Sequence, residues 1–254
     1  MEIGAQLYTI RNFCKTTEDF AESLKKIADI GYKTVQVSGT CAYEPQWLQE
    51  QLKKNDLRCV LTHTSPALML EDATQVAANH DVFECQYVGI GGVTLTAENL
   101  ENDLKTFFDT YKPVAEKLKA AGKYFMYHNH AKEFFKLNGE TVMDILSREM
   151  PADAMGFTLD TFWVQVGGGD SAQWLEKLSG RVPCIHLKDY GVSDNARSWK
   201  MLPVGEGNIN FDRVFEKAEA AGTKYMLVEQ DDCNGEDPFD CLKRSHDYLR
   251  AQGF

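Results

Sequence analysis

Ala121-Gly122-Lys123-Tyr124-Phe125-Met126-Tyr127-His128 reads as a helix exit, a turn and a short strand that closes on an imidazole. Gly122 stands where the last turn of a helix needs a left-handed residue free of Cβ strain. The run behind it is short and rich in aromatics, which favours a strand over a helix. The same punctuation recurs at Ile30-Gly31-Tyr32 and Ala221-Gly222-Thr223. Between such exits lie amphipathic segments, for example Thr17 to Ala28, where apolar residues return at helical spacing and Thr17 is placed to cap the first turn. Eight β-rich runs can be marked in this way, at residues 3–8, 34–37, 58–62, 86–90, 124–128, 156–160, 183–186 and 225–229. Strands alternating with helices over 254 residues predict one parallel (β/α)8 TIM barrel spanning 1–254, since no linker or composition break interrupts the pattern.

Composition narrows the function classes. The chain is 43 % apolar and 26 % charged, with a formal charge of −11 and its lysines and arginines scattered. Such a surface repels phosphate backbones, so no nucleic-acid partner is expected. No apolar stretch is long enough to cross a bilayer, so no membrane partner is expected either. Seven dispersed cysteines without a CxxC pair fit reduced thiols better than a disulfide framework. Together with an N-terminus lacking signal-peptide features, this points to the cytoplasm, although a chain whose leader had been removed would read the same.

In a parallel barrel the site is built from the C-terminal ends of the strands. Four consecutive runs end on a polar residue, giving His128, Asp160, His186 and Glu229. Each follows an apolar neighbour, so the two-residue period can turn it towards the axis while its predecessor packs outward. Two imidazoles and two carboxylates at one rim would be costly to bury without a cation. The mixed nitrogen and oxygen set suits Mn, Zn, Fe or Co better than calcium.

Asp160-Thr161, the string Gly180-Arg181-Val182-Pro183-Cys184-Ile185-His186-Leu187-Lys188-Asp189, the segment Pro203-Val204-Gly205-Glu206-Gly207 and Val228-Glu229, taken in this order, resemble the xylose-isomerase-like barrel superfamily of sugar phosphate isomerases and epimerases. The resemblance covers the whole chain and is strongest from Tyr127 onward. It implies a Glu, Asp, His, Glu quartet on strands five to eight holding a divalent metal, with Mn first and Zn, Co, Fe and Mg compatible. Asp160, His186 and Glu229 carry over directly. The fifth strand departs from the pattern, because His128-Asn129-His130 stands where many relatives have Glu-Asn-His. Either His128 ligates and the base lies elsewhere, or His130 ligates and His128 does the acid and base work. The first assignment is preferred, because His128 takes the position of the family glutamate.

Further candidates surround this quartet. Glu133 offers a further acid or base, unless it pairs with Lys132 or Lys136 at the surface. Lys188, two positions beyond His186, could stabilise an oxyanion or bind substrate, against an ion pair with Asp189 or Glu206. His63 could bind substrate or be a hydrogen-bonded loop residue, and Trp163 and Phe162 could stack on a sugar face or pack in the core. Gly167-Gly168-Gly169 lacks a P-loop context and reads as a turn leading to Asp170 as a helix cap.

The leading expectation is a metal-dependent isomerase or epimerase of a small keto or aldo sugar, working through an enediolate with a base drawn from Glu229, His128, His130 or Glu133. A dehydratase or eliminase acting on an inosose or 3-keto glycoside would use the same carbanion chemistry and then expel an oxygen. A Schiff-base aldolase on Lys188, a DNA-repair endonuclease and a non-catalytic sugar-binding barrel complete the alternatives, and a homo-oligomer is compatible with all of them.

Overall fold

The computed structural model describes all residues 1–254. Its centre is a closed barrel of eight parallel strands: β1 (Glu2–Gln6), β2 (Thr34–Val37), β3 (Arg58–His63), β4 (Tyr87–Ile90), β5 (Tyr124–His128), β6 (Met155–Asp160), β7 (Cys184–Leu187) and β8 (Tyr225–Val228). β8 returns to pair with β1, with Ile3 beside Met226 and Ala5 beside Val228, so no strand edge is left open. The expected runs match these strands to within one or two residues. The largest difference is at the first, which stops at Gln6 and turns into a 3-10 helix over Leu7–Phe13.

Strand periodicity sorts the side chains into two apolar clusters. A cluster of 59 buried residues, including Phe125, Tyr127, Phe157, Leu159, Ile185 and Val228, fills the space between strands and helices. A separate cluster of six, Val60, Leu61, Tyr87, Met126, Cys184 and Leu227, plugs the barrel interior below the site. Residues two apart share a face, so His128 stands above Met126, His186 above Cys184 and Glu229 above Leu227. The apolar plug gives the polar rim a dry floor.

Helix α1 (Thr17–Ile30) is capped by Thr16, whose hydroxyl accepts from the Asp19 amide, and not by Thr17 as the sequence suggested. Its exit is as anticipated: Gly31 has φ of 121°, and Gly122 and Gly222 have φ of 76° and 81°. At Gly31 an added Cβ would also fall 2.8 Å from the His246 ring. Gly31→Ala is therefore expected to cost about 1–3 kcal/mol, combining a left-handed backbone with a steric clash. Thermal denaturation checks this, and an unchanged midpoint would refute it. No helix is long and apolar enough to cross a membrane.

Two features were not foreseen. An antiparallel hairpin, Asp189–Val192 against Trp199–Leu202, rises directly from the end of β7. A smaller one pairs Lys136–Leu137 with Glu140–Thr141 after β5. Gly167 and Gly169 press on the Phe134 ring, where added Cβ atoms would lie 2.3 and 2.7 Å from it, and Asp170 caps the next helix by accepting from the Gln173 amide.

Candidate metal centre and pocket

His128, Asp160, His186 and Glu229 are all buried, and one ligand atom from each lies within 4.8 Å of the others. The strand register produces this: Asp160 lies opposite His186, and His186 opposite Leu227, two residues before Glu229.

Each of the four has one polar atom engaged by a neighbour and a second turned inward. His186 Nε2 is 2.6 Å from Gln36 Oε1. Because an amide oxygen only accepts, that nitrogen donates its hydrogen and Nδ1 carries the lone pair. His128 Nδ1 meets the Gly91 carbonyl at 3.4 Å, leaving Nε2 inward, 3.2 Å from Asp160 Oδ2. Asp160 Oδ1 accepts the Trp163 amide at 2.9 Å as the cap of the next helix, while Asn129 Oδ1 takes the Asp160 amide. Glu229 Oε1 accepts from Gln6 Nε2 at 3.2 Å. His186 Nδ1 and Glu229 Oε2 then approach to 2.9 Å, off the line of a hydrogen bond; both are buried, neither is hydrogen-bonded, and Glu229 Oε2 has only the Lys188 ammonium beside it at 3.0 Å. Orphaned polar atoms of this kind are costly inside a protein, and a cation between them would satisfy both. The donor set therefore fits a divalent ion.

Lys188 completes the charge pattern. Its ammonium is 3.1 Å from Asp160 Oδ2, 3.0 Å from Glu229 Oε2 and 2.9 Å from Asp231 Oδ2, at 1 % exposure. Neither ion pair that the sequence suggested for it forms. Asp189 instead accepts from the amides of Tyr190, Gly205, Gly207 and Ile209, and Glu206 pairs with Arg244. Burial opposes the charge on Lys188, but Asp160, Glu229 and Asp231 outweigh it and raise its pKa. An amine kept protonated in this way is no Schiff-base nucleophile. Burial likewise opposes ionisation of Asp160 and Glu229, and Lys188 with the histidines overcomes it, holding both below the usual carboxylate range. Asp231 bears what is left of the strain: burial and the nearby Glu229 push its pKa up to about 6.

A cavity of about 510 Å³ opens over the quartet, lined among others by His63, His130, Trp163, Lys188 and Asp231. His63 Nδ1 meets Ser38 Oγ at 3.1 Å, while its Nε2 is buried and unpartnered. His130 Nδ1 and Trp163 Nε1 are unpartnered too, and burial pushes the His130 pKa down to about 3, so the ring is neutral. Three residues that line the cavity thus carry buried polar atoms without a hydrogen-bond partner, and convergent polar groups of this kind are what a ligand site needs.

Glu133 departs from both roles considered for it. It is fully buried behind β5, accepting from Tyr127 Oη and the His130 amide at 2.7 Å each, and it does not line the cavity. It pairs with neither Lys132 nor Lys136, because Tyr127 faces the helix layer and draws the carboxylate there. Phe162 packs between Trp199 and Tyr190, away from the cavity. Gln6, Gln36 and Asp231 were missed in the sequence. The signal for the glutamines was present, since each is a polar residue directly beside buried apolar ones in its strand, Gln6 after Ala5 and Gln36 between Val35 and Val37.

Gln36 supplies a direct test of the tautomer argument. Gln36→Leu removes the acceptor that turns His186 Nδ1 inward, and metal affinity should fall roughly 10- to 100-fold. Calorimetric titration with Mn²⁺ measures this, and an unaltered affinity would dismiss the role given to Gln36.

The model of the xylose isomerase-like TIM barrel family matches residues 24–252. The chain belongs to that family. Among solved structures, this xylose isomerase-like barrel is similar to a sugar phosphate isomerase/epimerase from Parabacteroides distasonis, with 20 % identity, a TM-score of 0.82 and coverage of 98 % of this chain and 93 % of that one. A probable 3-DHS dehydratase from Bacillus anthracis gives 15 % identity, a TM-score of 0.75 and coverage of 98 % and 99 %. An L-ribulose 3-epimerase gives 16 %, 0.73, and 99 % and 94 %. At these identities the likeness is one of fold. No curated protein matches the sequence.

Proposed function

We propose that this xylose isomerase-like barrel is a metal-dependent isomerase or epimerase of a small sugar or sugar derivative. The observation that carries the reading is the quartet, whose members each have one atom anchored and one turned inward beside a cavity with unpartnered polar groups. His128, Asp160, His186 and Glu229 would hold the ion, manganese first among the divalent metals this donor set accepts. Such an ion lowers the cost of removing the proton between a carbonyl and its neighbouring hydroxyl.

The protein's own groups do the rest. The Lys188 ammonium, locked by its three carboxylates, sets a fixed positive charge where an enolate oxygen gains charge. His130, neutral and unpartnered at Nδ1, can take the proton and return it, and Glu229 is the second group in reach of the same centre. His63 Nε2 and Trp163 Nε1 supply donors for substrate hydroxyls, and the apolar plug excludes water from below.

One observation favours a second reading. His63 and His130 both line the cavity beyond the quartet, so a neutral imidazole that has taken the substrate proton can pass it on to a departing oxygen. A dehydratase or eliminase on an inosose or 3-keto glycoside needs such a proton donor.

The test is incubation of the manganese-loaded protein with keto and aldo sugars and with 3-keto glycosides, followed by NMR and mass spectrometry. A product of unchanged mass supports isomerisation or epimerisation. Loss of water or release of an aglycone supports the second reading, and protein that takes up no divalent ion refutes both.

A further inference from the structure

We propose that the substrate carries an anionic group, a carboxylate or a phosphate, and that Arg11 receives it at the mouth of the cavity; this rests on the metal-dependent reading above. Arg11 lies in the 3-10 helix that follows β1, and it lines the cavity over the quartet. In a chain with 38 acidic residues it makes no ion pair with any of them. Its guanidinium is held instead by two backbone carbonyls, Tyr8 O at 2.9 Å from Nη1 and Asp231 O at 3.0 Å from Nη2. It lies over the Tyr8 ring, 4.3 Å from the centroid. Two carbonyls and one ring fix the position of the fork without neutralising its charge, and they leave N–H groups free.

The seat is built closely. Gly39, at φ of 71°, backs it, and a Cβ there would fall 2.8 Å from the Tyr8 ring and 3.1 Å from Arg11 Cβ. The backbone has been brought against the arginine at the one residue type that allows it. Asp231, whose main-chain carbonyl Arg11 holds, gives both of its carboxylate oxygens to Lys188.

Charge counting gives the same answer. Around the cavity, Asp160, Glu229 and Asp231 face Lys188 and Arg11, which leaves one negative charge in excess. A divalent ion in the quartet reverses that excess, so the loaded cavity carries one net positive charge inside a protein of net charge −11. A neutral sugar would leave that charge and the free N–H groups of Arg11 unanswered, whereas a carboxylate cancels it and a phosphate monoester, closer to two negative charges at neutral pH, more than offsets it.

The experiment titrates the manganese-loaded protein with D-glucose, D-glucuronate and D-glucose 6-phosphate by calorimetry, using wild type, Arg11→Met and Arg11→Lys. Manganese uptake is measured first on each sample, so a failure of the metal reading is seen separately. The wild type should favour at least one anionic sugar over glucose by roughly 10- to 100-fold, the range of a charge-assisted hydrogen bond pair. Which of the two is favoured identifies the anion as carboxylate or phosphate. Arg11→Met should erase the preference while keeping the ion, and Arg11→Lys should retain only part of it. Wild-type protein that takes the anions no better than glucose, with undetectable binding of all three included, overturns the proposal. So does an Arg11→Met protein that keeps the full preference. If Arg11→Met fails to fold, the wild type and Arg11→Lys still decide the matter.

Discussion

His186→Ala is expected to abolish stoichiometric binding of a divalent ion while leaving the barrel folded. The imidazole supplies the Nδ1 that faces Glu229 Oε2 at 2.9 Å, and it lies at the middle of the quartet, 3.7 Å from Asp160 Oδ2. Removing it leaves three donors, two of which are carboxylates already shared with Lys188. The ammonium can then neutralise them without competition from a complete ligand set. The fold should survive, because the stabilising core lies in the outer cluster and the interior plug, neither of which includes His186. Calorimetric Mn²⁺ titration and circular dichroism measure the two halves of this prediction. A variant that still holds one ion per chain tightly would remove His186 from the site.

His130→Ala should do the reverse, sparing the ion and lowering turnover by about 10²- to 10⁴-fold, the usual contribution of a positioned acid or base. His130 is two residues beyond His128, and in a continuing strand both rings would face the ion. The strand ends at His128, and the chain passes into a short 3-10 turn over Ala131–Phe134, whose Glu133 holds the His130 amide. The His130 ring consequently stands on the wall, 4.6 Å from the His128 ring and 5.4 Å from that of Trp163, with Nδ1 free. His128→Glu is the companion variant. It restores the negative charge that the imidazole lacks, so metal affinity should hold or rise while the ion becomes a weaker Lewis acid. An ion bound through His130, seen crystallographically with His128 turned away, would exchange the two roles.

Several interactions illustrate why local reading succeeds at some positions and fails at others. Gly31, Gly122 and Gly222 were legible because their requirement is local: a helix ending in a left-handed residue needs glycine whatever lies beyond. The cap at Thr16 in place of Thr17 shows the limit, since adjacent threonines offer equal chemistry and backbone geometry chooses between them. Glu133 shows a stronger failure. Its sequence context offered either an acid or base at the site or a surface pair with Lys132 or Lys136, but Tyr127 and the His130 amide, brought together by the turn, bury it away from both.

By itself the sequence determined the barrel, through two periodicities and repeated turn signals, and it determined the quartet, because each member ends an apolar run at the same point of the strand–helix unit. Both follow from covalent order along a strand, where the period of two fixes which side chains share a face. Tertiary structure alone decided the partners across strands. It placed Gln36 on His186 from 150 positions away, Gln6 on Glu229 from 223 away and Asp231 on Lys188 from 43 away. It also left Arg11 facing the cavity without an acid. Barrel closure pairs β1 with β8 and turns β2 and β7, separated by two strands in the ring, towards one interior, and no local pattern encodes which buried polar atom will meet another once the ring is shut.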